Sequence, residues 1–304
     1  MLEMNTGTVD LNLMRVFLAI WDTHSLTLAA DRLALSQPAV SHCLKRLRDV
    51  FQDPLFVRTA EGMQPTGAAV RLHEPIDRAL DLIYGAMQRH AGYDPATSTR
   101  RFRISMSDMS AYYFLPPLLA EFENSAPGVR LDIVPVPLAN VEAGMRSGDI
   151  DLAVGYVPGL SGDCVAEALF VDEHICMVRS GHPIVGRTLT RSRLDGLRFL
   201  FADSSATGHG LTEKWFDQMD IKRNIVLNLP HFTAAPEIVR CSDLAVIFPR
   251  SIAERFNRGR GFRLLSLPFE LPPIEVKLHA HQRFAADAGI AWLRGVMRKM
   301  FGAT

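Results

Sequence analysis

The chain has 304 residues, with Lys+Arg and Asp+Glu at 33 each, so its net charge says nothing about a polyanionic partner and any nucleic-acid signal must be local. A hydrophobic fraction of 48% and a charged fraction of 22% are ordinary for a globular chain of two or three domains. The opening MLEMNTGTVDLNLM has neither the basic nor the apolar segment of a signal peptide, no apolar run reaches a membrane span, and Cys43, Cys164, Cys176 and Cys241 follow no CxxC or disulfide-framework spacing. A reduced, cytoplasmic protein that does not engage a membrane is expected.

LNLMRVFLAIWD repeats Leu13, Val16, Phe17 and Ile20 at helical spacing. SLTLAADRL follows with Ser25 as N-cap and one stripe of Leu26, Ala29, Ala30 and Leu33, its two alanines allowing close helix approach. The third segment, SQPAVSHCLKRLRD, offers Ser36 as N-cap and Pro38 in the first turn, where no amide partner is lost. Val40, Leu44 and Leu47 face inward; Pro38, Ser41, His42 and Lys45 make the opposite face. Helix, tight turn, helix is the arrangement that lays a second helix in a DNA groove. Gln37 and Ser41 would bond base edges, Pro38 and Ala39 would touch a thymine methyl, and Lys45, Arg46 and Arg48 would neutralise phosphates. From Ser36 to Thr59 four basic residues (Lys45, Arg46, Arg48, Arg58) stand against two acidic ones (Asp49, Asp53). The competing reading of this stretch is a solvated helix in an ordinary helical domain.

DPLFVRTAEGMQPT reads as strand, turn at Glu61-Gly62 and return strand, a wing that would carry Arg58 to a phosphate. Thr66 would cap a long helix in which Ile76, Leu80, Ile83 and Met87 recur at coiled-coil spacing, a seam for a second copy of the chain; Pro75 would kink it. The alternative for the seam is packing on its own domain. The expected divisions are a winged helix-turn-helix over 9–66, a linker and dimerisation helix over 67–91, a hinge over 92–100 (HAGYDPATSTRR is polar, with Gly92 and Pro95), and an α/β effector domain over 101–304. Within the last, lobe I covers about 101–171 and 275–304, and lobe II about 172–274.

The segment FLAIWDTHSLTLAADRLALSQPAVSHCLKRLRDVFQDPLFVRTAEGMQPT resembles the winged helix-turn-helix head of LysR-type transcriptional regulators, through Ser25, Ala29-Ala30, Leu33, Ser36 to Ser41, and Leu55-Phe56 with Arg58. FQDPLFVRT and GMQPT, with Arg48 and Gln52 where the family commonly has Leu-Glu and Gly, are similar to the nodulation, salicylate and nitroaromatic-responsive branch; TGHG (207–210) and LPHF (229–232) are similar to its salicylate-responding members. The resemblance implies a homo-oligomer, usually a dimer of dimers, that binds double-stranded operator DNA, works with RNA polymerase, and changes DNA bending when a small inducer binds its C-terminal domain.

In that domain RRFRISMSD ends a strand at Ser107-Asp108 before a helix, a junction whose amides can face an anion. VRLDIVPV, GDIDLAVGY, EHICMVRSGHP, LAVIFPR and IEVKLHAHQ read as further strands, closed by a helix over 287–301. Two α/β lobes with a chain that crosses over and back resemble a periplasmic-binding-type fold, whose ligands lie in the inter-lobe cleft. The candidate effector residues are Ser107, Asp108, Tyr113, Phe114, Thr207, His209, His231, Phe232 and Arg250, with His231 favoured. A cation, or hydroxyls with amides, would hold a carboxylate, and aromatic walls would hold a ring. His279-Ala280-His281 stands where the branch commonly has Phe-Trp-His, and Arg250 follows Pro249 directly, so the pocket is altered and a non-aromatic metabolite is the alternative inducer.

No HExxH, P-loop or GxSxG is present, GRGFRL (259–264) has only two glycines of a dinucleotide fingerprint, and His279 with His281 lacks a third ligand. Cys176 reads as a buried strand residue rather than a peroxide sensor. Neither an enzyme nor a cofactor is expected. A small-molecule-binding protein whose head does not bind DNA specifically is the fallback.

Overall fold

A computed structural model describes residues 10–91, 93–160, 162–183, 186, 188–202 and 205–302, with backbone only for 81, 82, 85–91 and 211. The chain divides into a unit ending at Ala91 and a second unit beginning at Gly92.

Three capped helices build the first unit. Helix α1 (Leu11–Thr23) is opened by Asp10, α2 (Leu26–Leu33) by Ser25 and α3 (Gln37–Phe51) by Ser36, each side chain accepting a first-turn backbone N–H. His24, Ala34 and Gln52 close them in the left-handed conformation. Their stripes meet in one core of Leu13, Phe17, Ile20, Ala29, Ala30, Val40, Leu44 and Leu47, so the apolar spacing is realised as packing. The wing pairs β1 (Phe56–Thr59) with β2 (Gly62–Pro65) around a turn at Ala60-Glu61, one residue earlier than the sequence suggests. Gly62 lies inside the ladder at φ +107°, where a Cβ would stand 2.6 Å from the His24 carbonyl oxygen. That close approach exists because Met63 N–H donates to the same carbonyl at 2.8 Å, docking the wing on the end of α1.

Helix α4 (Gly67–Ala91) starts at Thr66, whose hydroxyl accepts Ala69 N–H at 3.2 Å, and continues through Pro75. Ile76 and Leu80, expected on an intermolecular seam, are 7% and 4% exposed within the head's own core. The reason is that a helix packed on its domain and a helix packed on its copy present the same apolar period. Ile83 is half-buried, and the Met87 side chain lies outside the described residues.

The second unit holds two five-stranded sheets. In chain order come β3 (Arg101–Ser105), α5 (Asp108–Ser125), β4 (Arg130–Val134), α6 (Leu138–Ser147), β5 (Leu152–Gly155) and β6 (Cys164–Asp172). There the chain crosses into the second lobe, with β7 (His174–Arg179), α7 (Arg191–Asp195), β8 (Arg198–Ala202), α8 (Thr212–Gln218), β9 (Asn224–Leu229), α9 (Ala235–Arg240), β10 (Leu244–Pro249), α10 (Arg250–Phe256) and β11 (Phe262–Ser266). It returns through β12 (Ile274–His281) and α11 (Ala288–Phe301). The sheet orders are β4-β3-β5-β12-β6 and β11-β7-β10-β8-β9. Lobe I therefore depends on a strand from the far side of the crossing: β12 pairs antiparallel with β5 and β6.

Lobe I packs α5 and α11 on Phe102, Phe114, Phe122 and Trp292. Residues 93–100, expected to be a hinge, are tied down here, while Gly92 lies outside the described residues. Arg100 donates to Asp287 at 2.5 Å and Asp151 at 3.3 Å, and its guanidinium lies 4.6 Å over Phe102. Burial pushes the Asp151 carboxyl above the usual carboxylate range although Arg100 and the Arg103 N–H pull it down.

Arg100→Ala strands both carboxylates, and we expect the effector domain to lose about 3–5 kcal/mol in urea unfolding. A loss under about 1 kcal/mol would mean that water replaces the guanidinium.

A candidate DNA-reading face and an inter-lobe cleft

The Ser36 cap and the inward Val40, Leu44 and Leu47 fix which face of α3 remains outside. Ser36, Gln37, Pro38, Ser41, His42, Lys45 and Arg46 are exposed there, and Ala39 is half-buried. Lys45 and the wing's Arg58 are exposed and make no ion pair among the described residues. Arg46 pairs loosely with Asp10 at 3.3 Å, with both groups solvated. Arg48 is placed otherwise than expected. Its Nε donates to the Pro54 carbonyl at 2.8 Å and its Nη2 to the Phe56 carbonyl at 2.7 Å, so it holds the wing against α3 instead of waiting for a phosphate. Asp53 fixes the other end of the same loop. It accepts Leu55 N–H and the Thr66 hydroxyl, both at 2.7 Å, and these bonds, the Thr66 one foremost, hold its carboxyl below the ordinary aspartate range.

In the second unit a narrow, partly open cleft lies between the lobes. Lobe I supplies Ser110, Tyr113 and Phe114 from α5, Tyr156 after β5, and Phe170 and Asp172 from β6; lobe II supplies His209, Pro249, Ser251 and Ile252. Of the residues expected from sequence, Tyr113, Phe114 and His209 line it directly. Thr207 stands behind His209, its Oγ1 2.8 Å from the ring Nδ1. Ser107 is the N-cap of α5, occupied by Ser110 N–H at 3.2 Å. Asp108 reaches across the lobes, where its Oδ2 accepts Thr233 N–H at 2.9 Å while Oδ1 is buried without a partner among the described residues. Three expectations fail. His231 is exposed, because its neighbour Phe232 takes the inward position, 3% exposed in the lobe II core and 5.6 Å from the His209 ring. Phe232 borders a second space rather than the cleft. Arg250 turns to Glu173, the residue beside the chain crossing.

Ser110, Tyr156, Phe170, Asp172 and Ser251 are among the lining residues that sequence reasoning missed. One signal for Ser110 lies in Gly155, at φ +132°, where a Cβ would come within 2.7 Å of the Ser110 hydroxyl.

Behind the cleft a second, small space lies within lobe II, bordered by His174, His209, Thr212, Phe216 and Phe232. Arg223, stacked 3.8 Å over Phe216 and paired with Glu213, also borders it. Both histidines are neutral. Burial lowers His174 to about 4, and burial with the nearby His174 lowers His209 to about 3. Burial raises the Tyr113 and Tyr156 phenols above the ordinary tyrosine range, reinforced by Asp172 and Glu275 respectively, with Arg255 opposing the shift at Tyr113. Cys176, fully buried in β7, has its thiol pushed up to about 12, which leaves it no thiolate chemistry at neutral pH.

Comparison with known proteins agrees with this architecture. Residues 11–70 match the family described as "Bacterial regulatory helix-turn-helix protein, lysR family", and residues 95–302 match "LysR substrate binding domain". The HTH-type transcriptional activators NahR of Pseudomonas putida and NagR of Ralstonia sp are each 34% identical over 298 residues, covering 98% of this chain and 99% of theirs. Nodulation protein D 1 of Mesorhizobium japonicum is 28% identical over 95% of this chain and 92% of its own, in keeping with the branch that the sequence resembles. A probable transcriptional regulator of Pseudomonas aeruginosa, PA0477, superposes with a TM-score of 0.79 at 29% identity, covering 96% of this chain and 97% of its own. Full-length CbnR complexed with its target DNA shares the fold at a TM-score of 0.63 and 16% identity, covering 97% of this chain and all of that one. Head, linker helix and two-lobed domain, matched over nearly the whole length, establish that the chain belongs to the LysR family of DNA-binding transcriptional regulators.

Proposed function

We propose that this regulator reads its operator with the outer face of α3 and the wing, and that a small aromatic inducer held in the inter-lobe cleft changes its activity. The observation that carries the second half is the cleft itself: Tyr113, Phe114, Tyr156 and Phe170 wall it on the lobe I side, and His209 closes it from lobe II. A ring bound there touches both lobes and so has a means of favouring one lobe arrangement over another.

In the head, Gln37 and Ser41 are the base readers and Lys45 and Arg58 the phosphate ligands, because these side chains are exposed while Arg48 is taken up by the wing. The regulator works as an oligomer of itself on a two-fold operator, in contact with RNA polymerase. With Ile76 and Leu80 used internally, the exposed Val70 and Tyr84 of α4 favour that helix as the pairing element on a different face.

Footprinting on the DNA beside the gene, with and without simple aromatic acids and phenols, tests the whole reading. Protection whose extent changes with a ring compound supports it, and protection indifferent to every one of them sinks the aromatic inducer. Gln37→Ala and Ser41→Ala should each weaken operator binding by about 1–3 kcal/mol. Lys45→Ala should instead lower affinity for every sequence alike and reduce the salt slope by roughly one ion. Equal loss on specific and random DNA in the first pair would remove them from the readout.

The neutral histidines make a separate prediction. Imidazoles whose folded pKa lies below the unfolded value stabilise the fold fully above about pH 6.5, and that stability is lost as pH falls towards 4. Each pH unit between the folded and unfolded values corresponds to about 1.4 kcal/mol. The effector domain should therefore melt progressively lower between about pH 6.5 and 4, and His174→Gln should flatten the dependence. An unchanged slope in that variant would show that His174 is already solvated.

A further inference from the structure

The charges around the cleft restrict what kind of ring it can hold, a point that rests on reading the cleft as the effector site. Asp172 lines it, and Asp108 lies at the start of α5 with one carboxylate oxygen buried and unpartnered. No Lys or Arg lines the cavity among the described residues. Arg250 pairs with Glu173, and Arg255, which lies outside the lining with its guanidinium 5.4 Å from the Tyr113 ring, is turned to the Tyr113 carbonyl oxygen. Several of the donors at the cleft are taken as well. Ser251 gives its backbone N–H and its hydroxyl to Asp172, at 3.2 and 2.6 Å, and Ser110 N–H goes to Ser107. A carboxylate brought in here would be desolvated beside Asp172 with no Lys or Arg in the described lining to pair with it directly. The hydroxyls of Ser110, Tyr113 and Tyr156 donate or accept equally well and favour neither class.

His209 adds a direction. Thr207 Oγ1 lies 3.3 Å from the Tyr156 carbonyl oxygen and 2.8 Å from His209 Nδ1. A carbonyl only accepts, and the hydroxyl has one proton, so both contacts are hydrogen bonds only when Thr207 donates to Tyr156 and His209 Nδ1–H donates to Thr207. The ring is neutral, which leaves Nε2 a bare acceptor, and that atom is buried with no partner among the described residues. An acceptor in this position calls for a ligand that donates.

We propose that the cleft takes an uncharged aromatic ring bearing a hydroxyl, of the phenol or catechol class, with His209 Nε2 accepting the ligand O–H, and that it discriminates against the same ring carrying a carboxylate.

Calorimetric titration of the full-length protein with salicylamide, salicylate and catechol tests this, since the first two have nearly one shape and differ in charge near neutral pH. Salicylamide and catechol should bind, with salicylate weaker by about tenfold or more. His209→Phe should weaken catechol by about tenfold, and Asp172→Asn should narrow the gap between salicylamide and salicylate. Ser110→Phe, which fills the cleft, should abolish all binding, with far-ultraviolet circular dichroism verifying that each variant is folded. Salicylate binding as tightly as salicylamide, and lost in Ser110→Phe, would overturn the proposed class while leaving the cleft as the effector site. Preference for salicylamide that survives His209→Phe would overturn the role given to Nε2. Binding of none of the three, or binding that persists in Ser110→Phe, would overturn the cleft reading and this inference with it.

Discussion

Asp172 ends the strand by which the chain leaves lobe I, and its carboxylate, 8% exposed, is received by Ser251 in lobe II and by the backbone N–H of Glu173. A buried carboxylate is tolerable only with such donors around it, so the residue cannot leave this position without leaving its partners orphaned. Arg250 N–H returns a bond to the Glu173 carbonyl at 2.8 Å, and Pro249 lies opposite His174 in the β7–β10 ladder. Residues 172–174 and 249–251 are thereby clasped. That clasp fixes where the crossing lies, seats α10, and places the Asp172 carboxyl in the wall of the cleft.

The head uses the same economy at smaller scale. Its wing is only four residue pairs long, too short to stand alone in water. It is held by side chains and backbone from elsewhere: Arg48 from α3, Asp53 from the approach loop, and the His24 carbonyl from the end of α1. Leu55, fully buried, accepts a left-handed conformation at φ 56° to enter it, a strain that the surrounding bonds must maintain. The placement of Arg58 thus depends on residues outside the wing itself.

The three head helices were legible because their caps and apolar stripes are local: Ser25 and Ser36 cap as expected, and Val40, Leu44 and Leu47 point inward together. Where the sequence misleads, the deciding partner is distant or the signal is shared. Arg48 counts as a free cation until its carbonyl acceptors six and eight residues on are seen. Ile76 and Leu80 have the period of a seam, but that period serves an intramolecular core equally well. Tyr113 and Phe114 could be placed near the cleft from their position after a strand–helix junction. Asp172 and Ser251 could not, because they become a pair only through the crossing, 79 residues apart. His231 was attractive for its neighbour, yet it is Phe232 that turns inward.

A ligand shifts a two-lobed protein only by the difference between its contacts in one arrangement and another. Ser110 and Tyr113 on one side and His209 on the other therefore matter jointly: a ring held by lobe I alone would bind without biasing anything. The protein already spans the gap with Asp108 to Thr233 and Asp172 to Ser251, so some closure energy is present before any ligand arrives. On the proposed reading, what a ligand adds is an interaction that the described residues do not supply, and Nε2 of His209 offers one. Satisfying a buried, orphaned acceptor recovers its desolvation cost as well as making a bond, which gives a single ligand hydroxyl more leverage over the lobes than an equal contact on an exposed surface would have.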